Sequence, residues 1–268
     1  MPELPEVETI VRGLDQRVRG RRIESVEFLW ARTCAGDPDR TAASLAGKRI
    51  LGVRRWGKYI LFDLEGGGES AILTVHLRMT GNFLFNDAVG PWTRVVTQLD
   101  GGLTMIYHDI RKFGRWEYSE KLPARLAELG PEPLDISLED FLPRLRHRKA
   151  QIKAVLMNQE FLRGLGNIYC DEALFRARIH PTANASKIGP KRGERLHRAI
   201  QEVLQDAIAQ GGSTVMNYVN SDGVQGYFQL STFVYGKTGE ACRICGEPIR
   251  RRIVAGRSTH FCSRCQKR

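Results

Sequence analysis

The 268-residue chain lacks several features that would place it in other protein classes. No apolar run approaches the roughly 20 residues that a membrane-spanning helix requires. The N-terminal residues do not have the basic-then-apolar layout of a secretory signal. Its six cysteines are few for a disulfide scaffold of this length, and four of them cluster near the C-terminus. We therefore expect a cytoplasmic protein with no membrane partner.

Acidic residues are outnumbered, because 41 Lys and Arg stand against 30 Asp and Glu, which gives a net charge of +11. This excess indicates a polyanionic partner, although charge by itself does not distinguish nucleic acid from a membrane surface. Two segments concentrate it: residues 242–268 hold eight basic residues and one acidic residue, and residues 144–153 hold five basic residues and no acidic one. A charge run is usually a solvated face, but two such runs favour contact with phosphates.

Hydrophobic periodicity predicts an α+β protein with several domains. Apolar residues at helical spacing from Val7 to Val18 predict a first helix. Short β-rich segments separated by glycine-containing turns then predict a β-sandwich or barrel. These segments are Ile23–Phe28, Lys58–Leu64, Ala71–Leu77 and Leu103–Tyr107. We expect an N-terminal β-sandwich catalytic domain at 1–120, a proline-rich linker at 121–143, a helical domain at 144–235 and a zinc finger at 236–268.

The predicted helical domain contains a hairpin of two helices. Apolar spacing predicts a helix from Ile152 to Phe161, which Gly164-Leu165-Gly166 would end, and Asn167 is expected to cap the next helix. Backbone N–H groups at that helix start, together with Asn167, could seat a phosphate. An ordinary helical hairpin is the alternative. A longer helix follows from Leu196 to Ile208, and a glycine-rich loop from 213 to 226 has the length of a functional lid.

Four cysteines give the strongest signal for a metal site. Cys242-x-x-Cys245 and Cys262-x-x-Cys265 are separated by sixteen residues, which fits a tetrahedral four-thiolate zinc site closed by a β-hairpin. Redox pairs are the alternative, but a redox motif needs only one pair. Four thiolates leave no open position, so we expect one structural Zn²⁺ and chemistry elsewhere.

The first six residues, Met1 to Glu6, contain two prolines and two glutamates. Because Pro2 follows Met1, we expect removal of the initiator methionine to leave a free secondary amine on Pro2. α-Amino groups titrate near pH 8, so part of the population is a neutral nucleophile that can form a Schiff base with an aldehyde carbon. Glu3 could move protons beside it. Taken alone, these residues favour a turn at Pro2 and a helix start at Pro5.

Six motifs occur together and in order, and they carry a resemblance to a known family. They are Met1–Thr9, Gly-Asn-Ile-Tyr at 166–169, Asn-Ser-Asp-Gly at 220–223, Gly-Tyr-Phe at 226–228, Val-Tyr-Gly at 234–236 and the four-cysteine finger. Over its whole length the sequence resembles the bacterial formamidopyrimidine-DNA glycosylases, also called 8-oxoguanine DNA glycosylases. The resemblance implies a base-excision repair enzyme with glycosylase and β,δ-elimination (AP lyase) activity.

The resemblance also implies roles for individual residues. Pro2 would attack C1′ of the damaged nucleotide, and Glu3 would donate and accept the protons of the glycosylase step. Glu6 would help to shape the same pocket. Lys58 would assist base loss and β-elimination. Arg257, in the finger, would bind phosphate and serve δ-elimination.

The resemblance further implies contacts with duplex DNA that contains oxidised bases or AP sites, bound by a monomer at the bacterial nucleoid. A target base must be flipped out of the duplex, and apolar wedges can fill the gap. Met79, Arg111 and Phe113 match the family's intercalating residues, although core packing is the alternative for Met79. Asn167 would contact the phosphates flanking the lesion, Arg148 and Lys153 match basic positions on the DNA path, and the 213–228 loop matches the family lid.

Two departures from the family pattern stand out. Trp92 replaces a histidine that contacts DNA in the family, and Arg94 could partly substitute for it. Residues 229–232 also differ from the common pattern, which leaves lesion preference open. Two alternatives remain: an endonuclease VIII-like enzyme for oxidised pyrimidines, against which Leu4 argues, and a catalytically silent DNA-binding protein, which would not need Pro2, Glu3 or Lys58.

Overall fold

The computed structural model describes residues 1–212 and 231–268. Its contacts divide the chain into two compact units, which are described separately. Of the described residues, the first unit comprises 1–127 and 210–212, and the second comprises 128–209 and 231–268. Among the described residues, no helix is both long enough and apolar enough to cross a bilayer.

The first unit begins with the predicted amphipathic helix, α1 (Leu4–Val18), which starts close to the N-terminus. Its apolar residues recur every three or four positions and are fully buried. The Glu6 carboxylate accepts a hydrogen bond of 2.8 Å from the backbone N–H of Glu3. This contact satisfies one of the free N–H groups at the helix start and fixes the direction in which the terminal residues enter the helix.

Two antiparallel four-stranded sheets make up most of the rest of this unit and confirm the predicted β-sandwich. Their strand orders are β1-β6-β7-β5 and β2-β3-β4-β8. The strands are β1 (Ile23–Phe28), β2 (Arg49–Trp56), β3 (Tyr59–Gly66), β4 (Glu69–His76), β5 (Gly81–Phe85), β6 (Thr93–Leu99), β7 (Leu103–Asp109) and β8 (Arg115–Ser119). The short helices are α2 (Pro38–Leu45) and α3 (Ala124–Ala127).

Residues from both sheets and from α1 share one hydrophobic core. Its centre is aromatic: the Phe83 ring lies 5.2 Å from Tyr107 and 5.8 Å from Trp116. Tyr107 needs two glycines beside it, since a Cβ added at Gly81 or Gly114 would lie about 2 Å from the Tyr107 hydroxyl oxygen. The glycines therefore allow the turns at one end of the sandwich to close over a buried tyrosine.

The second unit is helical and ends in a β-hairpin. Its helices are α4 (Leu138–Arg146), α5 (Ile152–Met157), α6 (Asn167–Arg176) and α7 (Pro190–Ala209), and its strands are β9 (Arg250–Val254) and β10 (Arg257–Phe261). Helix α4 begins inside the proline-rich segment that was expected to be a linker, with Ser137 as its N-cap. The proposed domain boundaries stay a prediction.

Two details of the predicted helical hairpin are wrong. Helix α5 ends at Met157 and not at Phe161, because Asn158 adopts an extended backbone with φ −72° and ψ 117°. Asn167 does not cap α6. The N-cap is Gly166, and Asn167 is the first helical residue. Its side-chain amide donates instead to the backbone carbonyl of Ser258 in β10, at 3.0 Å.

A buried carboxylate fixes the chain that leads into the finger. Glu172 in α6 accepts hydrogen bonds of 2.8–2.9 Å from three successive backbone N–H groups, those of Phe233, Val234 and Tyr235. Three donors compensate for much of the cost of burying this charged group. The motif at 234–236 is therefore attached directly to the helical hairpin.

Candidate active site and metal centre

The N-terminal amine lies among ionisable groups at the start of α1. Pro2, Glu3 and Glu6 are buried. Burial is the main cause that lowers the pKa of the Met1 amine below its ordinary value, with Lys58 and Arg111 acting in the same direction, while the charges of Glu3 and Glu6 oppose the shift. The structure thus brings together four residues that the sequence placed at three distant positions: Glu3, Glu6, Lys58 and Arg111.

Lys58 reaches this cluster from a tight hairpin turn. Gly57 and Lys58 connect Trp56 of β2 to its cross-strand partner Tyr59 of β3. Gly57 has φ +62°, which glycine adopts at little cost. Lys58 itself is buried. The turn therefore holds a lysine side chain within the interior, next to the terminal amine.

Gly212 packs against Glu6, a contact that the sequence did not predict. A Cβ added at Gly212 would lie 3.0 Å from Glu6 Oε1 and 3.2 Å from Glu6 Cα. Gly212 also has φ +80°. Both observations require glycine at this position. The lid expected at 213–228, and the changed residues at 229 and 230, lie outside the described residues.

The three residues expected to intercalate lie on two neighbouring turns of the first unit. Met79 follows β4, and Arg111 and Phe113 follow β7. Met79 is 39% exposed and Phe113 is 49% exposed, so core packing is wrong as an explanation for Met79. The Arg111 guanidinium lies 4.8 Å from the centre of the Phe113 ring.

The side chain of Asp109 connects these two turns, a role that the sequence did not predict. Its fully buried carboxylate accepts a hydrogen bond from the Thr80 hydroxyl, one of 3.2 Å from the Arg111 N–H and one of 2.7 Å from the Gly114 N–H. Buried carboxylates with three donors rigidify what they hold. The exposed side chains of the turns are therefore presented on a fixed backbone.

Trp92 and Arg94 differ in exposure. Trp92 is 49% exposed, whereas Arg94 is 6% exposed. The Arg94 guanidinium donates to the backbone carbonyls of Asp109, Pro91 and Thr93. The expectation that Arg94 takes over the contact of the family histidine is therefore wrong, because its side chain holds the turn together from inside.

The four predicted metal ligands converge in the second unit. The Sγ atoms of Cys242, Cys245, Cys262 and Cys265 all lie within 4.8 Å of one another. Thiolates about 2.3 Å from a tetrahedral Zn²⁺ lie roughly 3.8 Å apart, so the cluster fits this ion. Strands β9 and β10 form the predicted hairpin between the cysteine pairs.

Arg257 lies at the exposed tip of that hairpin. Ala255 and Gly256 form the turn with φ +48° and +71°, the combination of a type I′ turn. Arg257 is the first residue of β10 and pairs with Val254 across the turn. It is exposed, as is Arg148 between α4 and α5.

A buried hydrogen-bond network holds the finger hairpin against the helices. The sequence did not predict most of the residues in this network. Lys153 is 0% exposed, and its ammonium donates to Asp171 at 2.6 Å and to the Ser258 carbonyl at 3.1 Å. The second Asp171 oxygen accepts the His260 N–H at 2.8 Å. Asn167 donates to the same Ser258 carbonyl. In this arrangement Lys153 and Asn167 both hold the residue next to Arg257.

Comparison with known proteins decides the family. A model of the formamidopyrimidine-DNA glycosylase N-terminal domain matches residues 1–116, and one of the H2TH domain of the same enzymes matches 129–219. A model of the zinc finger found in FPG and IleRS matches 239–268. The chain belongs to the formamidopyrimidine-DNA glycosylase family. The finger contains one structural Zn²⁺ site, consistent with the cysteine geometry.

Full-length relatives support membership of the formamidopyrimidine-DNA glycosylase family. The enzyme of Solibacter usitatus is 52% identical and is covered over its whole length, and that of Bacillus subtilis is 42% identical over 99% of each chain. Lactococcus lactis FPG in complex with abasic-site DNA has a TM-score of 0.90 at 37% identity, covering 99% of this chain and all of that one. MutM in complex with DNA containing carbocyclic 8-oxo-G has a TM-score of 0.91 at 38% identity, with both chains fully covered.

Proposed function

We propose that the protein is a bifunctional DNA glycosylase that removes oxidised purines, 8-oxoguanine and formamidopyrimidines, from duplex DNA and then cleaves the AP site by β,δ-elimination. The observation that carries the proposal is the position of the N-terminal amine at the start of α1, among Glu3, Glu6, Lys58 and Arg111, where burial lowers the pKa of the Met1 amine. A neutral amine next to carboxylates has the nucleophile and the proton carrier that this chemistry requires.

The first chemical step requires the Pro2 amine that removal of Met1 leaves. Its nitrogen lone pair forms a bond to C1′, and the bond from C1′ to the base breaks, with the electron pair leaving on the base as it gains a proton. Glu3 takes the proton that the attached Pro2 nitrogen must lose and passes it to the sugar ring oxygen. The freed nitrogen lone pair forms the C1′=N bond as the C1′–O4′ bond breaks, so an iminium ion joins Pro2 to the opened sugar. The opposite charges around the amine limit the net charge that develops during this step.

Two eliminations follow from the iminium ion. Loss of a proton from C2′ expels the 3′ phosphate in β-elimination, and a second proton loss expels the 5′ phosphate in δ-elimination. Lys58 is the buried cation beside the amine and serves base loss and the first elimination. Arg257 is an exposed cation on a rigid hairpin, which suits phosphate binding and the second elimination.

DNA contacts follow from the exposed residues. Met79, Arg111 and Phe113 fill the space that a flipped nucleotide leaves, since they are exposed side chains on turns that Asp109 fixes. Trp92 offers a ring for stacking where the family has a histidine. Arg148 contacts a phosphate from its exposed position, and the half-buried Asn167 does so through the amide N–H that it does not donate to Ser258. Lys153 is a positioning residue in this proposal, because its buried ammonium holds the Ser258 carbonyl next to Arg257.

Borohydride trapping tests the proposal. Duplex DNA with a single 8-oxoguanine opposite cytosine is incubated with the protein and borohydride, which reduces the iminium ion to a stable amine. We expect a covalent protein–DNA adduct that is lost in the Pro2→Gly variant and after chemical blocking of the N-terminus. Glu24, an exposed residue of β1, supplies the matched control variant Glu24→Gln, which should trap as wild type does.

Three outcomes would separate the proposal from its alternatives. Excision without a trapped adduct would refute the proline Schiff base. Binding without excision would support the silent DNA-binding protein. A strong preference for oxidised pyrimidines would support the endonuclease VIII-like alternative. The ends of the cleaved DNA test the eliminations, because a 3′ phosphate forms only when δ-elimination has followed β-elimination.

A further inference from the structure

A cavity of about 530 Å³ lies beside the metal centre of the finger. Two of the zinc ligands, Cys245 and Cys265, form part of its lining together with Ile244. The other residues that line it are all cationic, namely Arg178, Arg192, Arg195, Arg264 and Lys267. Every lining residue belongs to the second unit, and none of those described is acidic. The cavity is therefore strongly positive.

The cavity and Arg257 lie at opposite ends of the finger hairpin. Arg257 begins β10 at the tip, and Cys262 directly follows the last residue of that strand. A strand rises about 3.3 Å per residue, so the tip lies roughly 16 Å from the metal centre. The cations of the cavity are therefore not part of the surface that presents Arg257.

Nearby carboxylates do not neutralise these five cations. In the part of the chain that the structure describes, none of them forms an ion pair with an Asp or Glu side chain. The acidic residues close to them in sequence are paired elsewhere, Glu194 with Arg198 at 3.0 Å and Glu247 with Arg250 at 3.2 Å. Zn²⁺ bound to four thiolates carries a charge of about −2, which offsets only part of the excess. Like charges held together repel, and an anionic ligand would relieve that repulsion.

Hydrogen bonds hold the cavity in shape before any ligand binds. Arg192 donates to the backbone oxygens of Lys267 and Arg268 at 2.9 and 3.0 Å. The Lys267 N–H donates in turn to the Arg178 carbonyl at 3.2 Å. The Nε of Arg195 donates at 2.7 Å to the backbone carbonyl that follows α6, which leaves its other N–H groups for a ligand. A preformed site of this kind loses little entropy when it binds.

Arg178 occupies a backbone position that usually belongs to glycine. It follows Ala177, the C-cap of α6, and has φ +56°. Glycine is the common residue there because other side chains lose conformational energy in the left-handed region. Among the described residues, none forms an ion pair or a side-chain hydrogen bond with Arg178. The arginine thus costs the fold energy without gaining a partner inside it, as expected of a side chain that binds a ligand.

Ile244 indicates which kind of anion fits the cavity. It lines the cavity and is 54% exposed. Phosphates would leave this apolar side chain against water, whereas a peptide can cover it with an apolar residue of its own. We infer that the cavity binds an acidic peptide segment of a partner protein, whose carboxylates contact Arg178, Arg195 and Lys267 while an apolar side chain packs on Ile244. Clusters of arginine are a recurrent means of recognising acidic peptides. The inference is independent of the proposed function.

Peptide binding to the full-length, zinc-loaded protein tests the inference. The probe is a fluorescent peptide in which a run of aspartates precedes two leucines. The cavity variant Arg178→Gly/Lys267→Gln removes two cations from the cavity, and the control Lys187→Gln/Arg198→Gln removes two exposed cations elsewhere in the same unit. We expect saturable binding that weakens by about fivefold or more in the cavity variant only. Equal binding by the wild type and both variants would refute the inference.

Ile244→Ser gives a second reading that does not depend on charge. Its side chain is exposed, so the change should leave the fold and the zinc content as they are. We expect the peptide with leucines to bind this variant roughly threefold more weakly. A peptide with serines in place of the leucines should bind the variant and the wild type equally. The same loss for both peptides would contradict the apolar contact.

Two further measurements separate the peptide from other roles of these cations. Zinc content should be the same in the cavity variant as in the wild type, and loss of zinc would show that the cations serve the metal centre instead. Saturating undamaged duplex should leave the affinity for the peptide unchanged. If the duplex displaces the peptide and the cavity variant binds the duplex more weakly, nucleic acid occupies the cavity and the inference is wrong.

Discussion

The N-terminal amine cluster and the finger hairpin place their functional groups in opposite environments. At the N-terminus the groups proposed to react, Pro2, Glu3 and Lys58, are themselves buried. In the finger, Arg257 is exposed, and the buried residues, Lys153, Asp171 and His260, only hold the hairpin in place. The groups proposed to react at the N-terminus are therefore shielded from water, whereas the Arg257 guanidinium of the finger is accessible to it.

This difference follows from what each group must do. An amine attacks only in its neutral form, so burial that lowers its pKa makes it a better nucleophile near neutral pH. An arginine that binds phosphate must stay charged and accessible, and it needs a rigid support more than a desolvated one. Breaking the support should therefore affect the two sites differently.

Removal of zinc is the largest expected perturbation. Structural Zn²⁺ contributes on the order of 10–16 kcal/mol to small zinc-binding folds. Chelation should unfold residues 236–268 and reduce duplex binding at least about tenfold, since this segment carries much of the positive charge. Residues 1–120 should keep their amide protection in hydrogen exchange. Restored zinc is the control. Loss of protection throughout the β-sandwich would show that the finger supports the whole fold.

Glu3→Gln should have the next largest effect, and on chemistry alone. Loss of a proton carrier typically slows a reaction by about 10² to 10⁴. We expect single-turnover excision of 8-oxoguanine to fall within that range, while duplex affinity and zinc content stay unchanged. Glu24→Gln serves as the control. Wild-type excision by the Glu3 variant would remove Glu3 from the mechanism.

Arg257→Gln is expected to have the smallest effect of the three changes, and it should leave the fold intact. Exposed substitutions usually change the free energy of unfolding by less than about 0.5 kcal/mol. Loss of one phosphate contact should reduce the salt slope of duplex binding by about 1 and shift the cleavage products towards β-elimination. Arg198, exposed on α7 in an ion pair with Glu194, gives the matched control Arg198→Gln. A large drop in thermal stability would mean that Arg257 supports the hairpin.

The sequence predicted the features that depend on local pattern. Helix α1 and the sandwich strands follow from the spacing of apolar residues, and the metal site follows from the spacing of four cysteines. The sequence did not predict the roles of Asp109 and Asp171. A single aspartate gives the same sequence signal whether its carboxylate is buried and accepts several hydrogen bonds or lies in solvent. The sequence also did not predict that Gly212 packs on Glu6, since the two residues are distant in the chain.

The helical hairpin shows where pattern fails. Leu162 and Phe161 are buried and continue an apolar pattern, yet they lie beyond the end of α5. Burial by tertiary contacts can give non-helical segments an apolar composition, so periodicity alone does not locate the end of a helix. Asn167 was a reasonable cap by residue type, but its amide serves a contact made 91 residues away.

The pKa of the Pro2 amine tests the central claim most directly. In protein from which Met1 has been removed, as verified by intact mass, ¹⁵N-labelled Pro2 can be titrated by NMR. Burial should place this pKa below the ordinary value of about 8. Adduct formation should then rise with pH and reach its plateau below pH 8. A pKa at or above the ordinary value would contradict the account, because the amine would be protonated at physiological pH.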